Sequence, residues 1–182
     1  SGLSATNNSV TISGTSTVGG TVTGGVAFYG DAANNTVTIS GSPTIGRNDG
    51  GVTGGRVREK GNANSNKVVI DGDSASKAFV SGLIEGGRSS KEGEASHNIV
   101  TISDVTVNNR LVGGAAVSSA VTGGSSTKAA ADYNRVTITD SEMAAGTDIT
   151  GGFADESGEA SHNTVTIDAT EIDGGTTGSF IR

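Results

Sequence analysis

One feature governs what this chain can fold into: a repeat. The string N-x-V-[TV]-I occurs six times, at Asn8-Ser-Val10-Thr-Ile12, Asn35-Thr-Val37-Thr-Ile39, Asn66-Lys-Val68-Val-Ile70, Asn98-Ile-Val100-Thr-Ile102, Asn134-Arg-Val136-Thr-Ile138 and Asn163-Thr-Val165-Thr-Ile167. The asparagines are 27, 31, 32, 36 and 29 residues apart. Self-similarity at such a period marks a stacked architecture, in which each unit buries its apolar face against the next. Within each V-x-I the two apolar residues face one way and the residue between them faces the other, which is the alternation of a strand.

A second string, [VI]-[TED]-G-G, accompanies the first. Its members are Val22-Thr-Gly24-Gly25, Val52-Thr-Gly54-Gly55, Ile84-Glu-Gly86-Gly87, Val121-Thr-Gly123-Gly124, Ile149-Thr-Gly151-Gly152 and Ile172-Asp-Gly174-Gly175. From the second glycine to the next asparagine there are 9, 10, 10, 9 and 10 residues. From the strand isoleucine to the first glycine there are 11, 14, 15, 20 and 12. One arm of each unit is fixed in length and the other accepts insertions, as in a coil held by rung-to-rung pairing along part of its perimeter. The longest interval, Ser103 to Val121, holds Val105, Val107, Leu111, Val112 and Val117. It is expected to pack over the coil or to display a loop.

Composition agrees with a rod and disagrees with an ordinary enzyme core. Val, Ile, Leu and Phe number 18, 12, 3 and 4 among 182 residues, beside 30 glycines, one proline and no tryptophan. That apolar share borders on the disordered range, yet its residues fall in register. The fold expected is therefore all-β, a parallel β-solenoid of about six coils. Residues 1–182 form one domain, read as a fragment of a longer repeat region because Ser1 is no initiator Met and no signal-peptide apolar segment follows. At about 4.8 Å per rung, six coils make a rod about 29 Å long. The asparagines Asn8, Asn35, Asn66, Asn98, Asn134 and Asn163 are expected to stack as a hydrogen-bonded structural ladder at a corner. The charge of −7 and the lack of a basic stripe argue against nucleic acid. No apolar run approaches membrane-spanning length, so this segment is not expected to be membrane-embedded. Without cysteine there is no disulfide and no thiolate metal site.

The pattern G-x-A-x-x-N-x-V-T-I with V-T-G-G farther on resembles the passenger repeats of bacterial autotransporter adhesins. Gly93-Glu-Ala95-Ser-His-Asn98 and Gly158-Glu-Ala160-Ser-His-Asn163 carry it best, and Gly30-Asp-Ala32-Ala-Asn-Asn35 and Gly61-Asn-Ala63-Asn-Ser-Asn66 match it. The fifth arm, Ala129-Ala-Ala131-Asp-Tyr-Asn134, lacks the glycine. The resemblance implies a right-handed β-helical stalk at the bacterial cell surface, anchored to the outer membrane through a region outside this segment. It also implies attachment to a host-cell or bacterial surface protein or glycan.

Other chemistry is weighed on the residues. His97 and His162 hold the same repeat position two coils apart, with Tyr133 between, so about 10 Å separates them. That is too far for one shared zinc ion, whose ligands lie about 2.0–2.3 Å away. Glu94 and Glu159 share that two-rung gap, just beyond the roughly 6.5–9.5 Å of an inverting glycosidase pair, and Ala130 intervenes. The glycine pairs lack the G-x-D of calcium-binding nonapeptides. Neither cofactor nor metal is therefore expected, and the chain is read as no enzyme. A polysaccharide-active β-helix lyase or glycosidase is the alternative. An ice-binding solenoid is a lesser one, resting on a single column of Thr11, Thr38, Thr101, Thr137 and Thr166 broken by Val69. The only basic cluster, Arg56, Arg58 and Lys60, reads as a solvated outer face or as a partner-binding patch.

Overall fold

The computed structural model describes residues 2–46, 50–108, 111–112, 115–116, 120–155 and 158–173. Among these there is no helix, and the main sheets are parallel. The chain winds as a parallel β-solenoid whose coil contributes one strand to each of three stacked sheets. The asparagine-led sheet has six strands in chain order: Ser9–Gly14, Thr36–Gly41, Lys67–Gly72, Ile99–Ser103, Arg135–Thr139 and Thr164–Asp168. Register is residue for residue, with Val10, Val37, Val68, Val100, Val136 and Val165 in one column. A short sheet follows, made of Thr17–Val18, Thr44–Ile45, Ala78–Ser81, Val105–Asn108, Glu142–Met143 and Glu171–Ile172. The glycine sheet comprises Val22–Tyr29, Val52–Lys60, Ile84–Ser89, Ala120–Ser126 and Asp148–Ala154.

Two expectations are corrected. Glu171–Ile172 pairs with Glu142–Met143, so Ile172 stands in the column of Met143 within the short sheet. It does not occupy the position of Val22 and Val52, and Gly174-Gly175 lie outside the described residues. The described chain thus makes about five turns, with opening strands of a further one. In the long interval, Val105 and Val107 are ordinary core residues of the short sheet. Beyond them, Leu111–Val112 and Ala115–Ala116 form an antiparallel pair; Val117 lies outside the described residues.

The interior is split in two. The larger core stacks Val37, Ile39, Ile45, Val52, Val68, Ile70 and Ile84, all fully buried, with their equivalents in the other coils, of which Val10, Ile12, Val18, Val165, Ile167 and Ile172 towards the two ends are only partly buried. Branched side chains suit this pleated, two-sided packing. The smaller core holds Ala27, Val57 and the alanine column Ala32, Ala63 and Ala95. Between the two runs the asparagine column, facing the glycine pairs. A Cβ added to Gly55, Gly87 or Gly124 would lie 2.5–2.6 Å from the Oδ1 of Asn66, Asn98 or Asn134 respectively. The GG pair and the asparagine of each coil are therefore one device: the carboxamide fills the space that two missing side chains leave.

Corners use left-handed backbone. The residue before each ladder asparagine, namely Asn7, Asn34, Ser65, His97, Tyr133 and His162, has φ of 54–60°. A second corner has Gly14, Gly41, Asp104, Asp140 and Ala169 at φ of 43–85°. Gly, Asn and Asp tolerate this region; Ala does so at a cost.

Candidate functional site

The six asparagines are brought together in one line. Each interior carboxamide oxygen accepts two bonds from the preceding coil. Asn66 Oδ1 accepts from the backbone N–H of Asn35 at 3.1 Å and from its Nδ2 at 3.0 Å, and Asn98 Oδ1 serves Asn66 in the same way at 2.9 and 3.1 Å. Asn134 and Asn163 continue the pattern, and Asn8 enters it at the other end. The second Nδ2 proton goes to a backbone carbonyl, as from Asn66 to Ala32 at 2.8 Å. Asn35, Asn66 and Asn98 are fully buried. With the donors and acceptors of its buried members consumed internally, this column holds the coils together.

His97, Tyr133 and His162 stack ring on ring along the rod. Their centroids are 5.2 and 4.7 Å apart, with interplanar angles of 15° and 9°. The ring edges of these exposed corner residues face solvent. Ser161 Oγ lies 3.0 Å from His162 Nδ1 and 2.9 Å from Asp132 Oδ1. Here the carboxylate contacts the serine and not the imidazole, so the carboxylate–imidazole–hydroxyl order that activates a serine is missing. Glu94 and Glu159 are exposed, and the backbone of Ala130 runs between them. Among the described residues, no group of three His, Cys, Asp or Glu is placed to hold a metal ion. Among the described residues no helix is long and apolar enough to cross a membrane. The threonine column lies in register with Val69 interrupting it.

The charged surface that breaks the repeat lies on the outward side of the glycine sheet. One column reads Thr23, Thr53, Glu85, Thr122, Thr150; the next reads Val26, Arg56, Arg88, Ser125, Phe153. Charge enters these columns only in the second and third coils. Glu85 is 6% exposed, and its Oε1 lies 3.6 Å from Nη1 of Arg88. Burial pushes its carboxyl above the usual range, while Arg88 and then Arg56 pull it back. Thr21, Thr53, Arg56, Leu83, Glu85 and Arg88 line a recess there. The Nε of Arg56 is buried and has no hydrogen-bond partner among the described residues.

Farther along the same strands the basic cluster divides. Arg58 lies over the ring of Phe28, with Cζ 5.2 Å from the centroid. Lys60 pairs with Glu92 at 3.4 Å, and Lys91 with Glu59. A bulge between Ala27 and Tyr29 sets both Arg58 and Glu59 opposite Phe28 and brings Lys60 level with Tyr29. Phe28 and Tyr29 are 56% and 58% exposed. Sequence reasoning found Arg56, Arg58 and Lys60 but passed over Phe28, Tyr29, Glu85 and Arg88. The signal for Glu85 was present, as the one glutamate at a position otherwise threonine in the other four described coils. No protein-family model, curated protein or solved structure matches the chain.

Proposed function

We propose that this chain is a non-catalytic segment of a bacterial surface adhesin passenger, a rod that carries binding surface away from the cell. In this reading the parent protein is held at the outer membrane by a region outside the segment, and the partner is a host-cell or bacterial surface protein or glycan. The observation that carries the reading is a basic and aromatic patch on one outward face of the glycine sheet, where Arg56, Arg58, Lys60 and Arg88 stand beside Phe28 and Tyr29. Three carboxylates, Glu142, Glu171 and Asp173, line a depression on the short sheet, and there Glu142 is paired with Lys77. The test is saturable binding of the labelled 182-residue chain to host and bacterial cells. Saturation that unlabelled chain competes away is expected; binding no greater than that of an unrelated protein of equal charge refutes it.

A second reading, a polysaccharide-active β-helix enzyme, draws on one observation. Glu85 is a buried carboxyl of raised pKa beside two guanidinium groups, the environment of many general acids. Release of reducing ends or unsaturated products from a panel of polysaccharides would support that reading against the first.

A further inference from the structure

In a solenoid each coil can serve as scaffold for the next, so the residues that leave the consensus are the ones stacking does not explain. Here they cluster. Arg56, Arg58, Lys60, Arg88 and Lys91 bring five of the chain's twelve Lys and Arg to one face, against three carboxylates, Glu59, Glu85 and Glu92. The face is therefore positive by two on a chain whose net charge is −7. Among the described residues Arg56 and Arg58 have no carboxylate within ion-pairing distance, and the Lys60–Glu92 pair is largely exposed and so weakly held. Beside them stand Phe28 and Tyr29, two half-exposed rings in a chain with only six aromatics.

We propose that this face binds a linear acidic polysaccharide along the strand Val52–Lys60. Sugar rings would lie on Phe28 and Tyr29, and anionic substituents would meet Arg56, Arg58 and Lys60. The proposal rests on the adhesive reading above and names the class of partner. Outward side chains recur along a strand about every 6.6–6.8 Å, so the three cations form a row and not a point. The guanidinium fork of Arg56 and Arg58 suits a planar or tetrahedral oxyanion. Threonine hydroxyls at Thr21 and Thr53 line the recess at one end of the row, and a depression lined by Tyr29 and Lys60 lies at the other. A peptide fits less well. The strand Val52–Lys60 is hydrogen-bonded on both sides, to Val22–Tyr29 and to Ile84–Ser89, so no peptide can add to it as a strand.

The 182-residue chain is titrated with polygalacturonate (carboxylate), dextran sulfate (sulfate ester), neutral dextran and poly-glutamate. Tight binding to either acidic polysaccharide, at least tenfold above dextran and poly-glutamate, supports the proposal, and the better of the two identifies the anionic group. The double substitution R56A/R58A is expected to weaken that binding at least tenfold, and F28A at least threefold. The charge-matched pair K67A/R135A, on the asparagine-led sheet, should change it less than twofold. Equal binding to poly-glutamate, or equal losses in R56A/R58A and K67A/R135A, overturns the proposal. A chain that binds cells but none of these polymers overturns it while leaving the adhesive reading intact; a chain that binds neither overturns both.

Discussion

Removing the carboxamide of Asn66 tests how much the central ladder contributes. In Asn66→Ala four hydrogen bonds disappear: two accepted from Asn35 and two donated, to Ala32 O and Asn98 Oδ1. The neighbours are not equally harmed. Asn35 Nδ2 keeps its bond to Ala5 O, and Asn98 Oδ1 keeps the backbone N–H of Asn66. The backbone N–H of buried Asn35 loses the partner it had in Asn66 Oδ1, a cost of about 1–3 kcal/mol. The other lost bonds and the space left facing Gly55 bring the total to about 3–5 kcal/mol. For a chain of this length that is on the order of 6–20 °C in Tm. Asn8→Ala is the control. Asn8 is exposed and gives up a single side-chain bond, with Asn35 Oδ1 still served by the Asn8 amide, so the loss should stay below about 1 kcal/mol. Urea unfolding followed by far-UV circular dichroism reads both variants. If Asn66→Ala falls within about 0.5 kcal/mol of Asn8→Ala, well inside the gap expected for a buried orphaned donor, the ladder is not what joins the coils.

Three further outcomes follow from the same geometry. Gly87→Ala places a Cβ 2.3 Å from Ala63 O and 2.6 Å from Asn98 Oδ1, whereas Gly19→Ala meets nothing within 4 Å. The first should destabilise by about 3 kcal/mol or more, in the range of severe overpacking, and the second should be neutral in thermal melts; similar Tm values for the two would contradict the packing of glycine on asparagine. Ala169, exposed at φ 43°, stands where other coils use Gly or Asp. Ala169→Gly should raise stability by about 1 kcal/mol, and a loss on chemical denaturation would count against the corner assignment. Glu85 is ionised less readily in the folded chain than in the unfolded one. Below the ordinary carboxylate pKa it is protonated in both states and costs nothing; the cost grows as pH rises through that value and is complete above the raised folded one. The stability of Glu85→Gln relative to the parent should therefore increase from acid to neutral pH, and a flat or reversed difference would refute the burial argument.

Much of the fold was legible because a solenoid writes the same instruction many times. The V-x-I alternation gave the inward column, and the constant count from glycine to asparagine marked the paired arm. Even the bulge beside Phe28 is visible as nine residues in the first arm against ten in the second. Ile172 was misplaced because its I-D-G-G matches the glycine string, although Glu171–Ile172 repeats the E-M of the preceding short strand; a four-residue pattern cannot separate two inward columns. The second core was hidden because alanine is small enough to sit anywhere, and only the fold brings Ala32, Ala63 and Ala95 together to close a lobe of their own. The surface patch was half legible. Arg56, Arg58 and Lys60 lie together in sequence, but Phe28, Glu85 and Arg88 join them only through rung-to-rung pairing, across about 30 residues of chain per coil.

If the repeat supplies an inert shaft and its departures supply the binding, the two can be separated. The variant F28S/R56S/R58T/E85T/R88S replaces the patch with small hydroxyl residues of the kind used in other coils. Its binding isotherm to the cells that the parent chain binds is the decisive measurement, made on material whose circular dichroism and melting match the parent. Loss of saturable binding with the rod intact is the predicted result. Undiminished binding would place the adhesive surface elsewhere on the molecule and contradict the division of labour between shaft and patch.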